Sequence, residues 1–332
     1  MSDGRFQTRM RRDVEEIAIL LEGLNGLAPQ GLLFQVGKQP GAPANERHTL
    51  ARPLPADAWR EVADRIVVLM QGKPDLLEAI LALGAGGVFI HSVVNFRSGE
   101  VADIAAHERE ANKHGALILW DLSHATGVLD LKLGAEGARL ATGCTYKYLN
   151  GGPGAPSFVY AARELASKLA TPLPGWMGHA APFAFDGTYA PREGVARFAS
   201  GTPPILSLEA LSGALEAIEG LPLIQLQDKA RALGALAIAR AQGMGLEILS
   251  PADDSVRGGH VSVRIPEGYP VVQALAARGV MADFRVPDTV RFGFSPLFLS
   301  YETVWDAMDA LANILSSRSW DQPQFHARAR VT

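Results

Sequence analysis

The chain has 332 residues, 48% hydrophobic and 20% charged, with a formal net charge of −4. That balance supports a large buried core and lacks the concentrated positive field that binding to nucleic acid requires. A single cysteine, Cys144, excludes an intrachain disulfide and a cysteine-based zinc site and points to a reducing, cytoplasmic setting.

The basic opening MSDGRFQTRMRRD has no apolar run behind it that would make a signal peptide, and nowhere does an apolar stretch reach the roughly 18 residues of a membrane span. Val14, Ile17, Leu20, Leu21 and Leu24 recur at helical spacing with acidic residues between them, an amphipathic helix. Residues 28–55 hold five prolines and three glycines and show no sustained period, so they read as loop or linker. Helices are expected near residues 58–70 and 75–83. The apolar run GGVFIHSVV (86–94), the helical pattern of 101–115 ending at a glycine, and the apolar run ALILWDL (116–122) then make a βαβ unit. Strands this continuously apolar imply a parallel sheet covered on both faces, with ligands beyond its carboxyl ends.

ARLATGCTY (138–146) is a further strand, NGGPGAP (150–156) a turn, and FVYA a returning strand. Two long helices follow, near 205–221 and 226–242, the first opening after Pro203-Pro204. LEILSP, HVSVRI, VMADFR and VRFGF, with helices between and after them, form an α+β tail. The division expected is a large domain over residues 1–220 and a small C-terminal domain over 221–332, without internal repeats.

Two residues stand out chemically. Asp121 closes an apolar strand in LWDLSH, where a carboxylate is costly without a partner such as a protonated ring nitrogen or a metal; the alternative is a cap on the following turn. His124, three residues on, suits stacking on a flat ring or orienting the aspartate, although a lone histidine is more often structural. Lys147, one of seven lysines, follows the next strand between two tyrosines and before a glycine-rich turn. Desolvation by those neighbours would favour the neutral amine that imine formation needs; taken alone it also reads as a lysine reaching out from a strand end. Together, an acid and an amine at successive strand ends are what pyridoxal 5'-phosphate (PLP) requires, one for the pyridinium proton and one for the imine.

The segments VVNFRSG, LWDLSHATG, GCTYKYLNGGPG, PGWMGHAAPFAF, FASGTPPILSLEAL and ADFR-x-PD-x-x-RFGFSPL closely resemble the kynureninase family, in order from about residue 83 to the C-terminus. The resemblance implies an α/β fold of the fold-type-I PLP class, with a mostly parallel central sheet and a smaller C-terminal α+β domain. It implies hydrolysis of the Cβ–Cγ bond of L-kynurenine or 3-hydroxykynurenine, as in tryptophan catabolism, by a homodimer with shared active sites. Lys147 would be the imine lysine and proton carrier, Asp121 the ring-nitrogen partner and His124 the residue over or beside the ring. Tyr146 would touch the phosphate and assist proton transfer, and Ser92 would bind the cofactor. Trp176 and Thr202 match positions that reach a phosphate from the other subunit, each also readable as packing or turn residues. Arg291 would grip the substrate α-carboxylate through two parallel hydrogen bonds, with Arg285 either structural or supporting the site from behind its contact residues, and His179 a substrate-site neighbour. No metal is implied.

The family's N-terminal phosphate-binding turn and ring-stacking Phe-Pro-Thr/Ser-Asp segment are not recognisable, beyond a faint likeness around Phe6 and Thr8. A phosphate dianion needs several convergent donors. Two further readings therefore stand beside the active hydrolase: a catalytically silent remnant or partner subunit, and another PLP activity such as desulfuration or transamination. Cys144, on a strand before the lysine, looks structural and argues against a persulfide carrier.

Overall fold

The computed structural model describes residues 88–171, 174–185 and 188–327. The helix expected around residues 14–24, the loop at 28–55, the helices near 58–70 and 75–83 and the Phe6–Thr8 likeness lie outside them. The first unit runs β1 (Val88–Ser92), α1 (Ile104–Lys113), β2 (Leu117–Asp121), β3 (Leu140–Cys144) and β4 (Ser157–Ala161). Its sheet has the order β1-β2-β3-β4. The apolar runs pair in parallel, β1 with β2 and β2 with β3, while β4 returns antiparallel.

Local chemistry sets these bounds. The Asp103 carboxylate accepts from the Ala106 backbone N–H at 2.8 Å and caps α1, satisfying a donor that the first helical turn leaves free. Gly115, at φ 67°, ends it. Ile118 and Trp120 are fully buried. The Trp120 indole donates to Glu108 on α1 at 2.9 Å, and Arg139 lies 3.6 Å from the other carboxylate oxygen. Burial pushes the Glu108 carboxyl up, against the pull of those two partners.

Beyond β4 come α2 (Arg163–Ala166), single turns at Trp176–Gly178 and Gly194–Phe198, and α3 (Ile205–Glu216). α3 buries none of its side chains, and Ile205, Leu206, Leu208 and Leu215 stand exposed. It ends earlier than its apolar pattern predicts, the chain passing through turns to Pro222, whose missing N–H suits a helix start. α4 (Leu223–Gly243) then leans on both units, with Ala230 in the first core and Leu233, Ala237 and Ala241 in the second.

The second unit is an antiparallel sheet, ordered β5 (Glu247–Ile248), β6 (His260–Arg264), β8 (Thr289–Gly293), β7 (Asp283–Arg285), covered by α5 (Gly268–Ala276) and α6 (Tyr301–Ser317). A short α7 (Pro323–His326) closes the described chain. Strand alternation divides its faces. Val261, Val263, Val290 and Phe292 pack on Leu275, Met308 and Leu311. The other face carries His260 opposite Gly293 and Ser262 opposite Arg291, with Asp283 opposite Arg291 from the far side. This polar face meets the segment after β1: Gly258 N–H donates to Gly99 O at 2.7 Å and Val101 N–H to Val256 O at 2.9 Å.

Candidate active site

Asp121 ends β2, and register sets Ser92, the last residue of β1, directly beside it. The Ser92 hydroxyl donates to one Asp121 carboxylate oxygen at 3.0 Å and the Ser123 backbone N–H to the other at 2.9 Å. The carboxylate is thereby held at the carboxyl edge of the parallel strands. His124 follows on the same turn. Its imidazole is pushed down to about 4, mainly by burial, then by the charges of Lys147 and Arg291, with Asp121 pulling the other way. The ring is neutral near pH 7 and lies within electrostatic reach of the acid, the amine and the arginine.

Lys147 sits on the turn leaving β3. Its carbonyl accepts from Asn150 N–H at 2.9 Å, and Gly151 N–H donates to Thr145 O at 3.0 Å, so the turn is closed on itself. The ammonium stands 5.3 Å from the Tyr146 ring centroid, a cation–π distance. The flanking tyrosines diverge: Tyr146 is half exposed, whereas Tyr148 is buried.

Across from Lys147 is the polar face of the second sheet. Arg291 donates to the Phe96 carbonyl and pairs with Asp283, which also binds Arg285 at 2.8 Å. Two guanidiniums share this carboxylate, and Arg291 and Asp283 border a cavity of about 970 Å³. His124, Tyr146, Lys147, His260, Arg291 and Ser295 line it.

The structure thus gathers Lys147, Tyr146, His124 and Arg291 on one cavity; Asp121 and its hydrogen-bonded Ser92 are not in its lining, Asp121 standing three residues before His124. Trp176, Thr202 and His179 do not line it. Trp176 is exposed and meets Phe183 edge-on at 5.6 Å. The His179 ring accepts from Ala181 N–H at 2.9 Å and contacts Thr188 O at 3.0 Å, within its own segment. Thr202 is exposed just before α3. Among the described residues, the Cys144 thiol makes a weak contact with Ser123 O at 3.7 Å. Sequence reasoning passed over Asp283, His260, Ser295 and Tyr148. The signal available for them was polar residues alternating with valine and phenylalanine in HVSVR and RFGFS. Among the described residues, no helix is long and apolar enough to cross a membrane, and no cluster of His, Cys, Asp and Glu could hold a metal ion.

Residues 226–311 match the family described as kynureninase C-terminal domain. A kynureninase of Pseudomonas fluorescens is 41% identical over 243 residues, 72% of this chain and 58% of that protein. One from Burkholderia mallei (strain SAVP1) is 39% identical over 268 residues, 80% of this chain and 64% of that protein. The chain therefore spans about three fifths of the length of these relatives. Among solved structures, the apo cysteine desulfurase of Thermococcus onnurineus NA1 superposes with a TM-score of 0.68 at 18% identity, over 92% of this chain and 78% of the other. The alanine–glyoxylate aminotransferase of a Nostoc species gives 0.56 at 21%, over 72% and 64%. A C-DES mutant with glycine covalently linked to its PLP cofactor gives 0.64 at 16%, over 77% and 71%. The chain is a relative of the kynureninases, built on the fold of the fold-type-I PLP-dependent proteins.

Proposed function

We propose that this chain is a PLP-dependent hydrolase that cleaves L-kynurenine, or its 3-hydroxy form, to anthranilate or 3-hydroxyanthranilate and L-alanine. The observation that carries the reading is one cavity lined by Lys147, His124 and Arg291, with the Asp121 carboxylate fixed three residues before His124 at the end of β2. The donor set fits the cofactor. Asp121, fixed through both oxygens, is placed to hold a proton on a ring nitrogen. His124, neutral and flat, would lie against the ring without competing for that charge. Lys147 would attach the cofactor and, once free, move the proton at the substrate Cα.

Bound PLP supplies an electron sink for the charge that develops next to its imine carbon. Arg291 would orient the substrate by its α-carboxylate through parallel N–H bonds; after water adds to the γ-ketone, the acyl group would leave as its carboxylic acid, and Tyr146, half exposed at the cavity, would protonate the electron pair left on Cβ. Ser92 acts through Asp121, and His179 would stand near the substrate's outer end.

Tyr146 would give one phosphate contact, with Trp176 and Thr202 donated by the other subunit of a homodimer. The exposed Trp176, Thr202 and apolar α3 beside them support such an interface. The working division is a large domain over 1–220 and a small one over 221–332, in a cytoplasmic enzyme of tryptophan catabolism. An absorbance spectrum tests the reading. After PLP addition the protein should show a visible band that disappears in Lys147→Ala, and it should release fluorescent anthranilate from L-kynurenine. A protein that stays colourless, or coloured but unable to cleave kynurenine, would overturn it.

A further inference from the structure

On the cavity side of the second sheet, two polar side chains are more than nine-tenths buried and have no hydrogen-bond partner. His260 is 4% exposed with both ring nitrogens unpaired, and Ser295 is 8% exposed with its hydroxyl unpaired. Leaving such groups unpaired destabilises a fold, and native structures rarely do it without a reason. Both residues line the cavity that holds Arg291 and Lys147.

Their arrangement explains what they face. His260 lies directly across from Gly293 in the β6–β8 ladder, Arg291 precedes Gly293 by two residues and Ser295 follows it by two. Gly293 places no side chain between them, and the nearest atom to a Cβ built there is the Tyr148 hydroxyl, at 3.8 Å. The result is an open floor with a guanidinium and two neutral hydrogen-bonding groups around it.

We propose that His260 and Ser295 are ligand-contacting residues that, with Arg291, bind the carboxylate of an α-amino acid over Gly293. The inference rests on the amino-acid substrate class proposed above and adds two specificity residues to it. Arg291 provides the charge; the imidazole and the hydroxyl each provide one neutral donor. Burial first, then the charges of Arg291 and His124, pushes the His260 imidazole down to about 3. The ring thus stays neutral and adds no second charge against a monoanion.

The test uses the full chain with PLP supplied, in His260→Phe, His260→Gln and Ser295→Ala forms. Calorimetry with L-alanine and with L-alaninamide separates carboxylate recognition from general binding. His260→Phe and Ser295→Ala should each weaken L-alanine by about tenfold, leaving L-alaninamide unchanged, and His260→Gln should restore part of the loss. Because the lost groups are unpaired in the free protein, neither Ser295→Ala nor His260→Phe should lower Tm. A packing role would instead lower Tm and weaken both ligands equally, and that result overturns the proposal. Wild-type turnover of kynurenine reads the functional proposal separately. A chain that binds L-alanine with these residue dependences but does not cleave kynurenine overturns only that proposal. Variants that bind L-alanine as the wild type does overturn only this inference, and a wild type that binds no amino acid overturns both.

Discussion

Tyr148 donates its hydroxyl hydrogen to the Gly259 carbonyl at 2.8 Å, and a Cβ added to Gly259 would stand 2.8 Å from the Tyr148 ring and hydroxyl. The residue after Lys147 is thereby pressed against the start of β6, with room for nothing larger than hydrogen between them. Burial also pushes the Tyr148 hydroxyl far up, so it remains a donor at any working pH.

Gly259→Ala and Tyr148→Phe should therefore differ in size of effect. Tyr148→Phe removes one hydrogen bond to a carbonyl that Phe294 N–H still satisfies, at a cost of about 1 kcal/mol. Gly259→Ala forces the ring away and shifts the lysine turn, at about 1–3 kcal/mol, with a parallel loss of activity. Urea unfolding of the two variants should rank them in that order, and an alanine variant as stable as the parent would show that the contact is loose.

Asp121 is anchored from both sides, and its two substitutions should separate charge from placement. Asp121→Asn keeps the shape and removes the charge, so kcat should fall by about 100-fold or more, some 3 kcal/mol of barrier. Ser92→Ala leaves the charge but removes one of the two hydrogen bonds, and a milder loss of about fivefold is expected. Steady-state kinetics with cofactor content measured alongside checks both; equal losses would mean that Asp121 acts only as part of the turn.

The first unit was the more legible part of the molecule. Ile118 and Trp120 lie in an apolar run whose end is marked by a carboxylate, so β2 and Asp121 announce each other locally. The same holds for β3 and Lys147, since a basic residue between two tyrosines is out of place in a core. The Arg291 environment was not readable in this way. Its partners Phe96 and Asp283 reach it through a loop of the other sheet and a strand order, β6-β8-β7, that no local pattern encodes. His260 was hidden for the same reason. Only the pairing of β6 with β8 brings its ring beside the Arg291 strand and shows that its nitrogens are unpaired.

Arg291→Lys should be a poor replacement despite the conserved charge. The guanidinium binds the Phe96 carbonyl and the Asp283 carboxylate and would have further N–H groups for the proposed substrate carboxylate, whereas an ammonium is a point charge without that planar fork. KM for kynurenine should rise by about tenfold in the lysine variant and by about 100-fold in Arg291→Ala, with smaller changes in kcat. Unchanged KM in both would remove Arg291 from the substrate site.

Acid should weaken the fold before it protonates most carboxylates. Burial is the leading reason that His91 and His124 are pushed down to about 4 and His260 to about 3, against 6.5 for an unfolded imidazole. Below pH 6.5 the unfolded chain therefore takes up protons that the folded chain refuses. The stability is complete above that value and is lost as pH falls toward 4, by up to about 1.4 kcal/mol per pH unit for each ring. Glu108 works in the opposite direction, since its raised carboxyl favours the folded state as pH drops. Burial pushes His107 down as well, and four imidazoles outweigh one carboxyl, so the urea midpoint at pH 5.5 should lie below that at pH 7.5. His91 contacts only the rings of His107 and Trp120 among the described aromatic neighbours, at 5.0 and 5.2 Å, and is remote in role from the cavity. His91→Phe should flatten the pH dependence by roughly its single share while leaving catalysis intact; identical midpoints at the two pH values would show that these rings are protonated in the folded protein after all.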